Sequence, residues 1–260
     1  MKKILILLVV LFLTLQNAFA ENLKFIQVTD VHLTQENKQY LKDFVNDINK
    51  QYSDLDFVVF TGDNIDRANI EDLATFLDTI KELKFKKYVL LGNHDVFKSQ
   101  HLDKKLYMKL VKQKLGSYHS NKPNYVFKDK DVVFIAMDGV KEVMPGANGY
   151  YREDELTWLD NQLTKYKNNK VVIFQHFPLI DSSVKSHKLY RKEDYLDVLK
   201  RHDNVIAIVS GHYHQNIEEM QNGIYNIVTS KFDNNKNYKI IEIDSEIPMV
   251  YTQLVSKSED

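Results

Sequence analysis

Five short apolar runs recur along this chain with helix-length segments between them, and no other feature narrows its possible folds as much. The runs are Phe25 to Val28, Phe57 to Phe60, Tyr88 to Leu91, Val171 to Phe174 and Val205 to Val209. They are too short and too rich in β-branched and aromatic residues for helices, and read as buried strands. Between them apolar residues return at helical spacing. Leu41, Phe44, Val45, Ile48 and Tyr52 mark one face, and Ile70, Leu73, Leu77 and Ile80 a second. Leu102, Leu106 and Leu110 mark a third, and Leu156, Leu159, Leu163 and Tyr166 a fourth, with a short helix near Tyr195 to Leu199. Strand–helix alternation at this spacing predicts an α/β fold with largely parallel strands.

Other segments have a different texture. Tyr125 to Phe127 and Val132 to Met137 read as strands joined by a tight Lys-Asp turn region. Asn222-Gly223 separates Ile217 to Met220 from Ile224 to Val228, a hairpin signal. Ile240 to Ile243 and Val250 to Leu254 complete the strands. These predict a second, more antiparallel sheet. No linker, repeat or composition break divides the chain, so residues 21–260 read as one domain.

Residues 1–20 read as an address. Met1-Lys2-Lys3 is basic, Ile4 to Leu15 is apolar, and Ala18-Phe19-Ala20 has the small-x-small pattern of a cleavage site. The run is shorter than the roughly 20 residues that span a bilayer. The expectation is a cleavable signal peptide cut after Ala20 and a periplasmic or secreted chain with no membrane span; the alternative is an uncleaved N-terminal anchor. Loss of Lys2 and Lys3 would take the net charge from −1 to −3, unlike a general nucleic-acid binder. No cysteine is present, which removes disulfides, thiolate metal sites and cysteine nucleophiles, and a lipoprotein anchor with them.

Metal ligation therefore falls to the nine histidines with carboxylates and amides, and five of those histidines stand just after the apolar runs. The first run leads to Asp30-Val31-His32, the second to Gly62-Asp63-Asn64 and the third to Gly92-Asn93-His94-Asp95. The fourth leads to Gln175-His176 and the fifth to Gly211-His212-Tyr213-His214. Each fragment alone is an ordinary loop. Together they place five clusters beyond the carboxyl ends of strands, where open α/β sheets bind ligands.

The series Asp30-x-His32, Gly62-Asp63, Gly92-Asn93-His94-Asp95, His176 and Gly211-His212-x-His214 resembles the calcineurin-like metallophosphoesterase superfamily, and its class III cyclic-nucleotide phosphodiesterase-like branch in particular. The resemblance runs from Phe25 to His214 and includes Leu156-Thr157-Trp158-Leu159 in the helix before the fourth cluster. It implies a four-layer α/β/β/α sandwich of two mixed β-sheets flanked by helices, with a dinuclear metal site at the C-terminal ends of the strands. It also implies roles. Asp30, His32 and His214 would hold one metal, Asn93, His176 and His212 the other, and Asp63 would bridge them. His94 would stabilise the phosphoryl group and protonate the leaving oxygen, a task suited to a group that titrates near neutrality. Asp95 would either orient His94 or cap its own turn.

Arg67 resembles an arginine that touches substrate phosphate in some branches, or else is a surface residue before the next helix. Asp66 stands where purple acid phosphatases carry a metal-binding tyrosine, and Gln175 where some branches carry a further histidine; in both the chain departs from those branches. Val96 to Pro123 holds seven lysines against one acidic residue, and Lys185, Lys188, Arg191 and Lys192 follow later. They read either as an electropositive rim for phosphorylated substrates or as a solvated helix face over Leu102, Leu106 and Leu110.

The resemblance thus implies a secreted metal-dependent phosphohydrolase using a metal-bridging hydroxide, leaning to phosphodiesters. Its alternatives are a phosphomonoesterase, a nucleotide pyrophosphatase, or a non-catalytic binding module on the same fold. The expected cofactors are two divalent or trivalent transition-metal ions, manganese, iron or zinc, which oxygen and imidazole donors accept alike. The expected partner is a phosphorylated small molecule or nucleotide, without specific nucleic-acid binding.

Overall fold

A computed structural model describes residues 22–181, 187–244 and 246–257. The proposed signal segment, its cleavage point and Lys185 lie outside the described residues. Among the described residues no helix is long and apolar enough to cross a membrane.

Four of the apolar runs form strands, β1 (Leu23–Val28), β2 (Phe57–Phe60), β7 (Lys170–Gln175) and β9 (Val205–Ser210), and the third run lies partly in β3 (Lys86–Val89), which starts two residues earlier and ends before Leu90. The others are β4 (Tyr125–Asp129), β5 (Val132–Met137), β6 (Gly149–Tyr150), β8 (Leu189–Tyr190), β10 (Ile217–Gln221), β11 (Ile224–Val228), β12 (Tyr238–Ile243) and β13 (Val250–Val255). The helices are α1 (Lys38–Gln51), α2 (Ile70–Lys81), α3 (Lys104–Leu115), α4 (Glu153–Lys165) and α5 (Lys192–Leu199).

One sheet has the order β13-β12-β1-β2-β3 and the other β10-β11-β9-β7-β5-β4, with a small β6-β8 pair apart. Both are mixed: β1, β2 and β3 run parallel, as do β5, β7, β9 and β11, while antiparallel pairings add strands at every edge except that of β3. The antiparallel strands therefore do not form a sheet of their own. Each hairpin instead adds to the edge of a parallel set, where a short connection suffices. Asn222 and Gly223, with φ of 52° and 79°, make the predicted tight turn between β10 and β11.

Helices cover the outer faces, giving four layers. α1 and α2 bury Leu41, Phe44, Val45, Ile48, Leu73, Phe76, Leu77 and Ile80 against the first sheet, with α3 beside them. On the second sheet, α4 and α5 bury Leu156, Leu159, Leu163, Tyr195 and Leu199. In α3 the buried face is Tyr107, Met108, Val111 and Leu115, whereas Leu106 and Leu110 are only partly covered. The aliphatic stripe gives the phase of this helix wrongly because its largest apolar body is a tyrosine. α3 opens on Asp103, whose carboxylate accepts the Leu106 N–H at 2.7 Å, and stops at Gly116, φ 110°.

Between the sheets lies an aromatic slab. Phe25 stacks on Phe57 at 4.7 Å and Phe134 on Phe174 at 5.3 Å, while Phe57 meets Phe134 edge-on at 5.1 Å. Each such ring removes roughly 150–250 Å² from water. At the slab's functional end, the buried Gln27 side chain ties the two sheets together. Its amide donates to Thr61 Oγ1 and Ser210 O, both at 2.9 Å, and its carbonyl accepts from Thr229 Oγ1 at 2.6 Å. A buried amide so completely paired fixes how the two sets of strand ends face each other.

Candidate metal centre

Parallel strands point their carboxyl ends one way, and here both sheets do so at one rim. Asp30 N donates to Gly62 O at 3.0 Å, His32 N to Asp63 O at 2.9 Å and Gly211 N to His176 O at 3.1 Å. The backbone is strained to achieve this. Asp30, His32, Asp63, His212 and His214 all have positive φ, between 44° and 70°. Left-handed backbone at a non-glycine residue costs on the order of 1–3 kcal/mol and collects at functional sites. Two glycines let the loops close. A Cβ on Gly92 would collide with the Asp63 backbone nitrogen and carboxylate, and one on Gly211 with the Thr29 hydroxyl and Asp30 carboxylate.

The loops assemble three groups whose ligand atoms lie within 4.8 Å of one another: Asp30, His32 and His214; His32, Asp63 and His94; Asp63, His176 and His212. Asp63 Oδ2 stands between the halves, 3.2 Å from His176 Nε2 and 3.8 Å from His32 Nε2. Asp63 Oδ1 accepts the His94 backbone N–H at 2.8 Å. Asp30 Oδ1 lies 3.4 Å from His214 Nε2, and its Oδ2 accepts from Thr29 Oγ1 and His212 N.

Backbone carbonyls set the histidine tautomers. His176 Nδ1 donates to Thr61 O at 3.0 Å, His212 Nε2 to Ala147 O at 2.8 Å and His94 Nδ1 to Asp66 O at 2.7 Å. These bonds leave His176 Nε2, His212 Nδ1 and His94 Nε2 as the ring nitrogens not engaged by a backbone carbonyl; a second hydrogen bond orients metal-ligating rings in the same way.

Charge is balanced within the cluster. Burial alone would raise the Asp63 carboxyl, but the adjacent His176 more than reverses this and holds it well below the usual carboxylate range. Burial alone would lower His176, but the Asp63 and Asp30 carboxylates lift it to about 9. His212 is pushed down to about 3 by burial and by the neighbouring His176. Asn93 Oδ1 is buried without a hydrogen-bond partner, and Asp30 Oδ1 and His176 Nε2 meet only other members of the cluster, His214 Nε2 and Asp63 Oδ2. Unpaired buried polar atoms are rare, and this set of oxygen and imidazole donors suits first-row transition metals. The residues present fit a pair of cations.

Two expected roles meet a different geometry. Both Asp95 oxygens are taken up by its own loops: they accept from Gly92 N at 2.7 Å, Asn64 N at 2.8 Å, Asn64 Nδ2 at 3.0 Å and Ile65 N at 3.1 Å. Asp95 thus organises the turn, and it is the Asp66 carbonyl that orients His94. Arg67 is 85% exposed, lies 3.7 Å from Asp66 Oδ2, and is not among the residues lining the cavity beside His32, His94 and His214. Its geometry is that of a surface residue. Within the lysine-rich stretch Lys104 meets Asp138 at 2.6 Å and Lys114 meets Asp78 at 2.7 Å, and further along the chain Lys192 meets Asp181 at 2.5 Å.

A cavity of about 600 Å³ opens on the His32, His94 and His214 side. Its remaining walls include Asn37, Tyr40, Asp66, Lys231, Phe232, Asp233 and Asn234. The sequence analysis missed all of these except Asp66. It also missed His187, whose ring lies 4.7 Å from that of His212. The excess of histidine was a signal for His187; Lys231 and its neighbours follow no motif.

Two mixed sheets flanked by helices, with a cluster of metal-ligand side chains at one set of strand ends, define the dinuclear metal-dependent phosphoesterases as a class. The family model for calcineurin-like phosphoesterases matches residues 23–216, and the chain belongs to that family. It is a metallophosphoesterase, a hydrolase of phosphoester bonds. A protein of Arcobacter nitrofigilis named as a probable glycerophosphodiester phosphodiesterase is 26% identical over 207 residues, covering 73% of this chain and 71% of its own. A 3′,5′-cyclic adenosine monophosphate phosphodiesterase of Vibrio vulnificus is 25% identical over 224 residues, covering 81% and 77%. In fold the chain is similar to a dimetal phosphatase from Danio rerio, with TM-score 0.63, 16% identity and coverage of 91% and 99%. A purple acid phosphatase from yellow lupin gives TM-score 0.55 at 13% identity, covering 92% and 54%.

Proposed function

We propose that this chain is an exported phosphodiesterase that works with two manganese, iron or zinc ions. The observation that carries the diester reading is the cavity of about 600 Å³ beside His94. A monoester presents one organic group and a dianion, and asks for several cations around the phosphate. The cavity instead offers room, an aromatic and apolar wall of Tyr40, Leu41 and Phe232, and one lysine. A diester, with a single negative charge and two organic arms, suits such walls better. The names of the two relatives support the same preference.

Asp30, His32 and His214 would hold one cation, Asn93, His176 and His212 the other, with Asp63 between them. When bound, the cations supply Lewis-acid charge to the phosphoryl oxygens and acidify water. The chain's own residues do the rest. Asp63 and Asp30 set the charge of the site, and the Thr61 and Ala147 carbonyls hold the rings of His176 and His212. His94, with Nδ1–H held on the Asp66 carbonyl, would act as the imidazolium: its Nε2–H faces the departing oxygen and passes it that proton, leaving the neutral ring on the same carbonyl. Export rests on the basic, apolar and small-residue order of residues 1–20.

The test uses residues 21–260 stripped with a chelator and resupplied with manganese, iron or zinc. Metal-restored hydrolysis of bis-p-nitrophenyl phosphate, faster than of p-nitrophenyl phosphate, is the expected result. A preference for the monoester would make it a phosphomonoesterase. No turnover of either with two metals bound would favour a binding role. Sequencing the N-terminus of the exported protein checks for a start at Glu21.

A further inference from the structure

One wall of the cavity beside His94 comes from the segment between β11 and β12, which contributes Lys231, Phe232, Asp233 and Asn234. This segment is anchored on both sides of Lys231. Thr229 N donates to Ser210 O at 3.1 Å and its hydroxyl to Gln27 Oε1 at 2.6 Å. Phe232 N donates to Thr29 O at 2.9 Å, and its buried ring meets Phe44 at 5.4 Å. The Lys231 carbonyl accepts from Asn237 Nδ2 at 3.0 Å. The lysine is exposed, yet its backbone is fixed to the ends of the same strands that carry Asp30 and His212.

Lys231 is the one lysine or arginine among the described residues lining this cavity. The two carboxylates there are turned to other groups. Asp66 lies 3.7 Å from both Arg67 Nε and His32 Nδ1, and Asp233 Oδ1 accepts from Asn235 N at 2.8 Å. Both carboxylates line the cavity with Lys231, so the lysine ammonium is the wall group able to pair with an anionic group of the ligand, and the carboxylates keep such a group to its side of the cavity.

Access decides which part of the substrate that is. Asp30, Asp63, His176 and His212 are buried, whereas His32, His94 and His214 are not, and these three line the cavity, which therefore opens onto the cluster. If His94 protonates the leaving oxygen, the group that departs occupies this cavity. We infer that Lys231 is a specificity-determining residue that selects phosphodiesters whose leaving group carries an anionic substituent of its own. The inference rests on the phosphodiesterase reading above.

The experiment compares methyl phenyl phosphate with methyl 4-carboxyphenyl phosphate and methyl 4-phosphonophenyl phosphate, diesters that differ only in the charge on the leaving group. The quantity read is the kcat/KM ratio, anionic over neutral, in the manganese-loaded wild type, Lys231→Met and Lys231→Arg. Intrinsic leaving-group reactivity cancels between proteins. The ratio should fall about tenfold in Lys231→Met, the size of one charge-assisted contact, and persist in Lys231→Arg. The carboxylate and phosphonate arms tell which anion is preferred. A ratio that Lys231→Met leaves unchanged, whatever happens to absolute rates, overturns the assignment. A wild type that turns over none of the three would defeat the phosphodiesterase reading instead. Calorimetric binding of methyl benzylphosphonate and methyl 4-carboxybenzylphosphonate, in which a methylene replaces the leaving oxygen, then reads Lys231 without departure of the leaving group: a wild-type preference for the carboxylate that Lys231→Met abolishes supports its role, and equal affinities overturn it.

Discussion

The aromatic slab between the sheets and the polar rim at the strand ends are built from adjacent residues of the same strands, yet they follow opposite rules. In the slab, Phe25, Phe57, Phe134 and Phe174 pack in extended strands with every ring in contact with others. A few residues further on, five side chains sit on left-handed backbone, and buried oxygen and nitrogen atoms find no partner outside the cluster. The slab supplies stability, and the rim consumes some of it to hold ligands in place. Each side of this contrast can be tested by asking whether a substitution changes activity, stability or both.

The largest effect on activity should follow Asp63→Asn. The amide keeps the shape and can still accept the His94 N–H, but the charge shared between the two halves is gone. Metal-dependent kcat/KM should fall on the order of a thousandfold or more. The rise in Tm that manganese gives the wild type should largely disappear, because that rise reports binding to the folded state. Undiminished metal stabilisation in the variant would break the contrast at its centre. His94→Ala comes next. Turnover should fall about 10²- to 10⁴-fold, while metal content by elemental analysis stays at the wild-type value. Loss of metal along with turnover would make His94 a ligand rather than an acid.

On the other side of the contrast, Phe134→Ala removes a ring that touches Phe25, Phe57, Phe127 and Phe174. It should cost about 3–5 kcal/mol. At this chain length that lowers Tm by roughly 10 °C. Below the new transition, turnover per folded molecule should remain that of the wild type. A matching loss of kcat would mean that slab packing sets rim geometry as well as stability.

The same contrast explains what could be read from sequence. Apolar runs and the polar residues after them are local signals, so β1, β2, β7 and β9 and the residues from Asp30 to His214 were legible. The third run was not fully so. Its strand is Lys86–Val89 rather than Tyr88 to Leu91, since Lys87 is buried with its ammonium on the carbonyls of Lys81 and Leu83. Which strands share a sheet depends on pairings such as Phe25 with Ile241, more than 200 positions apart, and no local pattern encodes that. The orienting groups were equally hidden. Every residue has a carbonyl, and only the fold shows that Thr61, Asp66 and Ala147 face histidine rings. For Asp95, sequence left two roles open, and the position of Asn64 and Gly92 decides for the turn.

The smallest predicted effect concerns a histidine on the slab side. His119 is buried beside Tyr118 and Tyr88, with ring centroids at 4.2 and 6.2 Å, and its Nε2 has no hydrogen-bond partner. Burial, with a smaller contribution from Lys87, lowers its pKa to about 4. An unfolded histidine titrates near 6.5. Between these values the unfolded chain binds more protons than the folded one, so this residue's contribution to stability is complete above about pH 6.5 and is lost as pH falls towards 4. The loss amounts to roughly 2–3 kcal/mol. His119→Gln cannot titrate, so the gap between its Tm and that of the wild type should change progressively in the variant's favour from pH 6.5 to 4. Both proteins are compared free of metal, and the rim histidines, common to both, cancel. A gap independent of pH would show that His119 is not held neutral by the fold. The slab side would then lack the one titrating group that the contrast assigns to it, and acid sensitivity would belong to the rim alone.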